Sequence, residues 1–128
     1  MMVFGIGIDV VENARISDAI RRHGQRFLER VFHSSEIDYC RSMADPTPHF
    51  AARFAAKEAV SKAFGTGFAQ QVGWRDIEIR RRASGEPFVV LHGGAADLAK
   101  QLGIRAILVS LSHTKSCAVA NALLMKVN

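Results

Sequence analysis

An alanine-rich helix is the sequence feature that most constrains how this chain can fold. Residues 51–64, AARFAAKEAVSKAF, consist mainly of residues with high helix propensity. Thr47 is placed to cap the amino end, Pro48 suits the first turn, and Gly65 follows the last turn. The small side chains predict close packing of this helix against a sheet. Its phenylalanines, at positions 50, 54 and 64, are predicted to lie in the core.

The first half of the chain otherwise begins with a strand and continues with helices. Residues 3–11, VFGIGIDVV, are β-branched and interrupted by glycine, which predicts a buried strand. Residues 16–31 carry a helical pattern with a break at Gly24. Ser34 and Ser35 are candidate caps of a further short helix.

The second half is predicted to contain mainly strands. A half-buried strand begins at Ile77, and a turn at Ser84-Gly85 leads to its partner at residues 88–91. A short helix at 95–102 and strands at 104–111 and 117–127 complete the order β-α-α-α-β-β-α-β-β. This order predicts one α+β domain over residues 1–128, a mostly antiparallel sheet with packed helices. Because so small a sheet leaves edges uncovered, we expect an oligomer.

The charge of the chain favours an anionic partner. Seventeen Lys and Arg residues against twelve Asp and Glu give a net charge of +5. The partner could be nucleic acid, an anionic membrane, a phosphorylated small molecule or an acidic protein. No apolar stretch approaches the ~20 residues of a membrane span, and the amino end does not resemble a secretory signal. Cys40 and Cys117 form no CxxC pair, which argues against a cysteine zinc site or a disulfide framework and favours reduced thiols in the cytoplasm.

Two carboxylates are candidates for a metal site. Asp9 lies near the end of an otherwise apolar strand, where it could simply be exposed or cap a turn. Gly5 and Gly7 before it favour close approach of another backbone or a ligand. Glu58 lies on the alanine-rich helix, where it could form a simple i,i+4 ion pair with Lys62. Alternatively, the two carboxylates hold a divalent cation, and the basic neighbours (Arg53, Lys57, Lys62) bind the phosphates of a substrate.

Other basic residues permit a functional and a structural interpretation. His113, next to Thr114, could be a loop histidine or a phosphate contact. Arg15, Arg22 and Arg26 could form a solvated helix face or a docking patch for an acidic surface. The run Arg80-Arg81-Arg82 is predicted to be an exposed strand end and turn.

Six segments together resemble a known family. They are GIGIDVVENARI (5–16), RFLERVFHSSEI (26–37), FAARFAAKEAVSKAFGTG (50–67), WRDIEI (74–79), GEPFVVLHG (85–93) and SLSHT (110–114). They resemble the holo-[acyl-carrier-protein] synthases, the short bacterial type of 4′-phosphopantetheinyl transferase. The resemblance implies transfer of 4′-phosphopantetheine from coenzyme A to a serine of apo acyl carrier protein, with release of adenosine 3′,5′-bisphosphate. It also implies a role in fatty acid biosynthesis and homotrimers with active sites between subunits.

The resemblance assigns roles to individual residues. It implies that Asp9 and Glu58 bind Mg²⁺ and that Lys62 contacts the coenzyme A phosphates. Since the serine hydroxyl needs a base, we expect Glu58 to accept its proton, directly or through a metal-bound water. The implied coenzyme A contacts are Arg53, Lys62, Gly65, Gly85, Pro87, His113 and Thr114, with Arg53 and His113 at the 3′-phosphate. Arg15, Arg22 and Arg26 are the implied carrier-protein contacts. Asn13 and Ala14 depart from many relatives, which bears on the choice of carrier protein.

Two other functions are compatible with the residues alone. A small basic nucleic-acid-binding domain would explain the charge of the chain. It would, however, bring the negatively charged Asp9 and Glu58 close to phosphates, and few aromatic side chains are available for base stacking, since Trp and Tyr occur only once each. A magnesium-dependent phosphohydrolase acting on nucleotides would use the same carboxylates without an acceptor protein. The resemblance favours the transferase, with neither a nucleic acid nor a membrane as partner.

Overall fold

A computed structural model of the chain describes residues 1–65 and 72–128. The predicted order of elements is confirmed there, with the first helical segment divided at Gly24. The strands are β1 (Met2–Glu12), β2 (Ile77–Arg81), β3 (Pro87–Leu91), β4 (Ile104–His113) and β5 (Cys117–Lys126). The helices are α1 (Asn13–His23), α2 (Gln25–Val31), α3 (Ser34–Arg41), α4 (Pro46–Phe64) and α5 (Gly93–Leu102). Residues 66 and 67 of the FGTG segment lie outside the described residues.

The strands form two antiparallel sheets, where the sequence predicted one. β1, β5 and β4 pair in that order, and β2 pairs with β3 in a separate hairpin. In the larger sheet Asp9 lies opposite Ala120, which lies opposite Leu111. The α+β class and the antiparallel pairing are therefore confirmed. Within the described residues, no helix is both long and apolar enough to cross a bilayer.

Helix α4 packs directly against the larger sheet, as its small residues predicted. A Cβ atom added to Gly7 would lie 1.9 Å from the Ala59 carbonyl oxygen, and one on Gly5 would lie 2.0 Å from that of Ala63. The glycines of β1 therefore allow the backbone of α4 to touch the strand. Alanines of β5 line the same interface, and the three phenylalanines of α4 are buried as predicted (Ala118, Ala120, Ala122; Phe50, Phe54, Phe64).

The caps of two helices differ from the predicted ones. Helix α4 begins at Pro46, one residue before Thr47, because the Asp45 carboxylate accepts a hydrogen bond from the Thr47 amide at 3.3 Å. In α3 the N-cap residue is His33, whose amide donates to Glu36 Oε1 at 2.9 Å. The predicted cap Ser35 instead donates to Glu78 Oε2 at 2.7 Å.

One face of β1 is exposed in the single chain, so the prediction of a fully buried strand is wrong. Ile6, Ile8 and Val10 are 67%, 61% and 61% exposed, and Leu108 of β4 is 58% exposed. These side chains lie on the face of the sheet opposite α4, and we call this apolar surface the outer face. In a strand, alternate residues face opposite sides, so only Gly5, Gly7 and the residues in phase with them face α4.

Candidate active site

Asp9 and Lys62 form an ion pair where β1 contacts α4, and Glu58 lies close enough for the charges of both to act on its carboxyl group. Asp9 is in phase with Gly5 and Gly7, so its side chain faces the helix, and this side chain is only 13% exposed. Lys62 Nζ lies 3.0 Å from Asp9 Oδ1 and donates to the Ile8 carbonyl oxygen at 3.1 Å. The ion pair of Lys62 thus spans two elements, whereas the simple alternative was a pair with Glu58 on the helix surface.

The two carboxylates of this group are close enough to affect each other. Burial, followed by the charge of Asp9, raises the pKa of Glu58, while Arg15 and Lys62 oppose the rise. Oxygen ligands of this kind suit a hard cation such as Mg²⁺, which is usually bound by one or two carboxylates together with substrate phosphates. The ammonium of Lys62 now supplies the positive charge next to Asp9. The residues present therefore fit a magnesium ion.

A second group of residues, which we call the basic cluster, consists of Tyr39, His49, Arg53, Arg81 and His113. The guanidinium carbons of Arg53 and Arg81 lie 4.1 and 5.4 Å from the centre of the Tyr39 ring. The rings of His49 and His113 are 5.1 Å apart. Burial, then the charges of His113, Arg53 and Arg81, lower the pKa of His49. The cluster offers several donors to an anion.

Sequence reasoning found Arg53 and His113 but missed the other members of the basic cluster. His49 precedes Arg53 by four residues on α4, so helical spacing was the available signal. Tyr39 and Arg81 come from α3 and β2, and only the tertiary fold brings them to Arg53. Arg53 is itself 2% exposed, and its Nε has no hydrogen-bond partner within the described part of the chain.

The remaining residues predicted to contact coenzyme A lie near these two groups. The Gly85 carbonyl accepts a hydrogen bond from Arg81 Nη1 at 2.6 Å, and Pro87 pairs with Arg81 in the hairpin, so both border the basic cluster. Thr114 Oγ1 accepts from the amides of Ser116 and Cys117 and shapes the turn after His113. Gly65 ends α4 in the left-handed conformation, three residues after Lys62.

Asp9 of the carboxylate site and His113 of the basic cluster lie on opposite sides of β5 within one subunit. Asp9 is on β1 and His113 is on β4, and β5 runs between them. At about 4.8 Å per strand, this places the two strands ~10 Å apart. A ligand that touched both groups of one subunit would therefore have to be long. Alternatively, the carboxylates of one subunit would have to lie next to the basic cluster of a second subunit.

Lys57 was predicted to be a basic neighbour of the carboxylates, and this prediction is wrong. Its side chain is fully buried and pairs with Glu36 at 2.9 Å. Its ammonium also donates to the carbonyl oxygens of Trp74, at 3.0 Å, and of Ile77. Lys57 thus joins α4 to α3 and to the start of β2, on a different side of the helix from Lys62. This pair serves the fold and is remote from solvent.

The predicted carrier-protein contacts lie on two helices, because Gly24, with φ 56°, breaks the helical segment. Arg15 and Arg22 line one concavity on α1, and Arg26 lines a neighbouring one with Arg30. His23 borders both concavities. Arg15 also lies over the Phe54 ring at 5.4 Å, and its charge acts on Glu58, so it connects the α1 surface with that carboxylate.

The sequence and the fold both match known proteins. The model of the 4′-phosphopantetheinyl transferase superfamily matches residues 5–120. The holo-[acyl-carrier-protein] synthase of Koribacter versatilis is 50% identical over 96% of this chain and 98% of its own length, and that of Chlamydia caviae is 47% identical over 95% and 97%.

Solved structures of holo-[acyl-carrier-protein] synthases also match the fold of this chain. The Neisseria meningitidis holo-[acyl-carrier-protein] synthase superposes with a TM-score of 0.90 at 32% identity, over 98% of this chain and 100% of the other. The Helicobacter pylori holo-[acyl-carrier-protein] synthase in complex with coenzyme A gives 0.84 at 32% identity, over 94% and 99%. The chain therefore belongs to the 4′-phosphopantetheinyl transferase superfamily, as an enzyme of its holo-[acyl-carrier-protein] synthase family.

Proposed function

We propose that the chain transfers the 4′-phosphopantetheine arm of coenzyme A to a serine of apo acyl carrier protein, in support of fatty acid biosynthesis in the cytoplasm. The other product is adenosine 3′,5′-bisphosphate. The observation that carries the proposal is the Asp9–Lys62 ion pair between β1 and α4, with Glu58 close enough for the charge of Asp9 to raise its pKa. Two carboxylates and a lysine at one site suit a cation that binds a pyrophosphate, whereas a nucleic-acid-binding surface would not place carboxylates there.

Asp9 and Glu58 are the residues that would hold Mg²⁺. When bound, the ion would neutralise charge that develops as the phosphoanhydride bond breaks. Lys62, now paired with Asp9, would be free to face the phosphates of coenzyme A and to offset the charge on the departing adenosine 3′,5′-bisphosphate. Glu58 is our candidate to accept the proton of the serine hydroxyl, because it is half-buried beside the same site.

The other coenzyme A contacts follow from the basic cluster. Arg53 and His113 would bind the 3′-phosphate, with Gly85 and Pro87 bordering the same cluster near the adenine. Gly65 and Thr114 would contact coenzyme A through the segments that follow Lys62 and His113. Among the described residues, the Nε of the buried Arg53 has no hydrogen-bond partner, so this nitrogen can donate to an anion.

The acidic carrier protein would dock on the arginines of α1 and α2. Arg15 and Arg22 share one concavity, and Arg26 lines the adjacent one. Guanidinium groups pair well with carboxylates, and such complementarity accelerates encounter more than it increases affinity. Arg15 would place the docked protein beside Glu58, where the serine hydroxyl must arrive.

We further propose that the chain forms a homotrimer, as the family resemblance implies. The outer face carries Ile6, Ile8, Val10 and Leu108, each more than half exposed in the single chain. Contiguous apolar surface of this kind marks protein–protein contacts. A neighbouring subunit could bring its basic cluster to the carboxylates of this one, which would complete a coenzyme A site between subunits.

Leu108→Arg is expected to prevent assembly, because it places a charge within this apolar surface. Light scattering coupled to size exclusion should give a trimer for the wild-type protein and a monomer for the variant. Gln101→Arg adds the same charge on the exposed side of α5 and should remain a trimer. A wild-type monomer, or a trimer that withstands Leu108→Arg, would contradict the proposed interface.

Incubation with coenzyme A, Mg²⁺ and apo acyl carrier protein tests the proposed reaction. Mass spectrometry should show carrier protein bearing one phosphopantetheine, and a chelator should stop the reaction until Mg²⁺ is restored. Release of phosphopantetheine without an acceptor protein would favour a phosphohydrolase. Salt-sensitive binding to generic DNA or RNA, without a response to coenzyme A, would favour a nucleic-acid-binding domain.

A further inference from the structure

Two histidines and a glutamate from separate elements converge away from the candidate active site. His33 caps α3, Glu78 lies in β2, and His92 caps α5. One potential ligand atom from each residue lies within 4.8 Å of the others. We propose that His33, Glu78 and His92 bind a transition-metal ion, with Zn²⁺ as the best match. Two imidazoles and one carboxylate suit zinc, whereas Mg²⁺ prefers oxygen ligands alone.

The surroundings of His33 leave one ring nitrogen available for a metal. His33 Nε2 lies 2.6 Å from the carbonyl oxygen of Arg75, which can only accept a hydrogen bond. The proton of a neutral ring is therefore on Nε2, and Nδ1 keeps its lone pair. Metal-binding histidines typically donate their second nitrogen to a carbonyl or a carboxylate in this way. The Arg75 carbonyl thus fixes the ring in a form that can ligate.

The second histidine, His92, already lies next to the Glu78 carboxylate with which it would share an ion. His92 Nε2 is 2.8 Å from Glu78 Oε1. Two ligands at about 2.1 Å from one tetrahedral ion are themselves ~3.4 Å apart, so the two groups would need to separate by roughly 0.6 Å. One cation could therefore replace the hydrogen-bonded proton between the two groups. The His33 and His92 rings are 4.8 Å apart and both are partly exposed, so small rotations could bring the third ligand to the ion.

The carboxylate is currently satisfied by hydrogen bonds, so a metal must compete. Glu78 alternates with the apolar Ile77 and Ile79, a pattern that predicts an exposed side chain in a half-buried strand, but it is 3% exposed. Arg80 donates to both of its oxygens, at 2.9 and 3.1 Å, and Ser35 donates to Oε2 at 2.7 Å. The side chain of Arg80 is half exposed and can swing into water, whereas Ser35 can stay bonded to Oε2 while Oε1 ligates. Arg80 is therefore the competitor for the site.

Bound zinc would join three segments of the fold. The ends of α3 and α5 would be tied to β2, and a ligand that binds only the folded state stabilises it. This site is independent of the proposed magnesium site, because it shares no residue with Asp9 and Glu58 and its ligands include nitrogen.

Calorimetric titration of chelator-stripped protein with zinc chloride, in millimolar Mg²⁺, tests the proposal. We expect one zinc per chain and a rise in the melting temperature on zinc addition. His33→Gln and His92→Gln should each weaken binding by at least about 10-fold. Glutamine still has an amide that can donate to the Arg75 carbonyl or to Glu78, so the hydrogen bonds of the fold can be retained. Melting curves in chelator will verify that both variants fold.

Three further variants separate this site from other zinc binding. Arg80→Ala should tighten binding, because it removes the competing guanidinium. His49→Gln removes a member of the His49–His113 pair and should bind zinc like the wild type. Asp9→Asn should also bind zinc normally, so the outcome does not depend on the transfer reaction. Absence of saturable binding, or unchanged binding in both His33→Gln and His92→Gln, would overturn the proposal.

Discussion

Asp9→Asn is expected to lower the rate of phosphopantetheine transfer by about 100-fold or more, and Glu58→Gln is expected to do the same. Each substitution preserves the shape of the side chain and removes one negative charge from the site between β1 and α4. Asparagine can still accept the hydrogen bond from Lys62, so the local fold should persist. The loss would therefore come from weaker binding of the cation and poorer charge compensation at the pyrophosphate.

The measurement is the initial rate of carrier-protein modification over a series of Mg²⁺ concentrations. Both variants should need more Mg²⁺ for half of their maximal rate. Asp97→Asn, on the exposed side of α5, removes the same charge at a distance from the site and should retain the wild-type rate. Wild-type rates in both Asp9→Asn and Glu58→Gln would exclude this pair from the reaction.

The carboxylate site could be predicted because its signals are local. A charge in an apolar strand and glycines at every second position both indicate an unusual neighbour. The structure identifies that neighbour as the backbone of α4, at Ala59 and Ala63. The sequence could not identify it, because more than fifty residues separate Gly7 from Ala59.

Errors arose where a charged residue is buried with a partner that is distant in sequence. Lys57 and Glu78 are both charged residues of a kind usually found at exposed positions, yet both are buried. Lys57 is satisfied by Glu36, and Glu78 by Arg80, Ser35 and His92. Burial of a charge is stable only with such partners, and these come from other elements of the fold. Periodicity within one segment carries no information about them.

The strands could be predicted from the sequence, but their arrangement could not. β1 pairs with β5, so Glu12 lies opposite Cys117 although more than a hundred residues separate them. Alternation of apolar residues defines the faces of a strand but does not specify its partner. The apolar outer face of β1 made the strand resemble one buried on both sides. In the single chain that face is exposed, and the proposed trimer would account for its composition.

Gly7→Ala is expected to destabilise the fold by about 3 kcal/mol or more, since its methyl group would lie 1.9 Å from the Ala59 carbonyl oxygen. For a chain of this length, that is a fall of roughly 10 °C in the melting temperature. A clash with backbone cannot be relieved by a change of side-chain rotamer, so α4 must move away from β1. The double variant Gly7→Ala/Ala59→Gly should therefore not recover the loss. Thermal unfolding monitored by circular dichroism measures both.

Gly73→Ala is the matched control for this experiment. Gly73 has a φ of −101°, and a Cβ atom there would meet nothing closer than 3.9 Å, so its melting temperature should remain near that of the wild type. Because Gly7 lies two residues before Asp9 on the same side of β1, movement of α4 would also separate Asp9 from Glu58. Any folded Gly7→Ala protein should therefore need more Mg²⁺ for transfer. Wild-type stability of Gly7→Ala would show that the close approach of helix and strand is not required, and the physical basis for the carboxylate pair would fail with it.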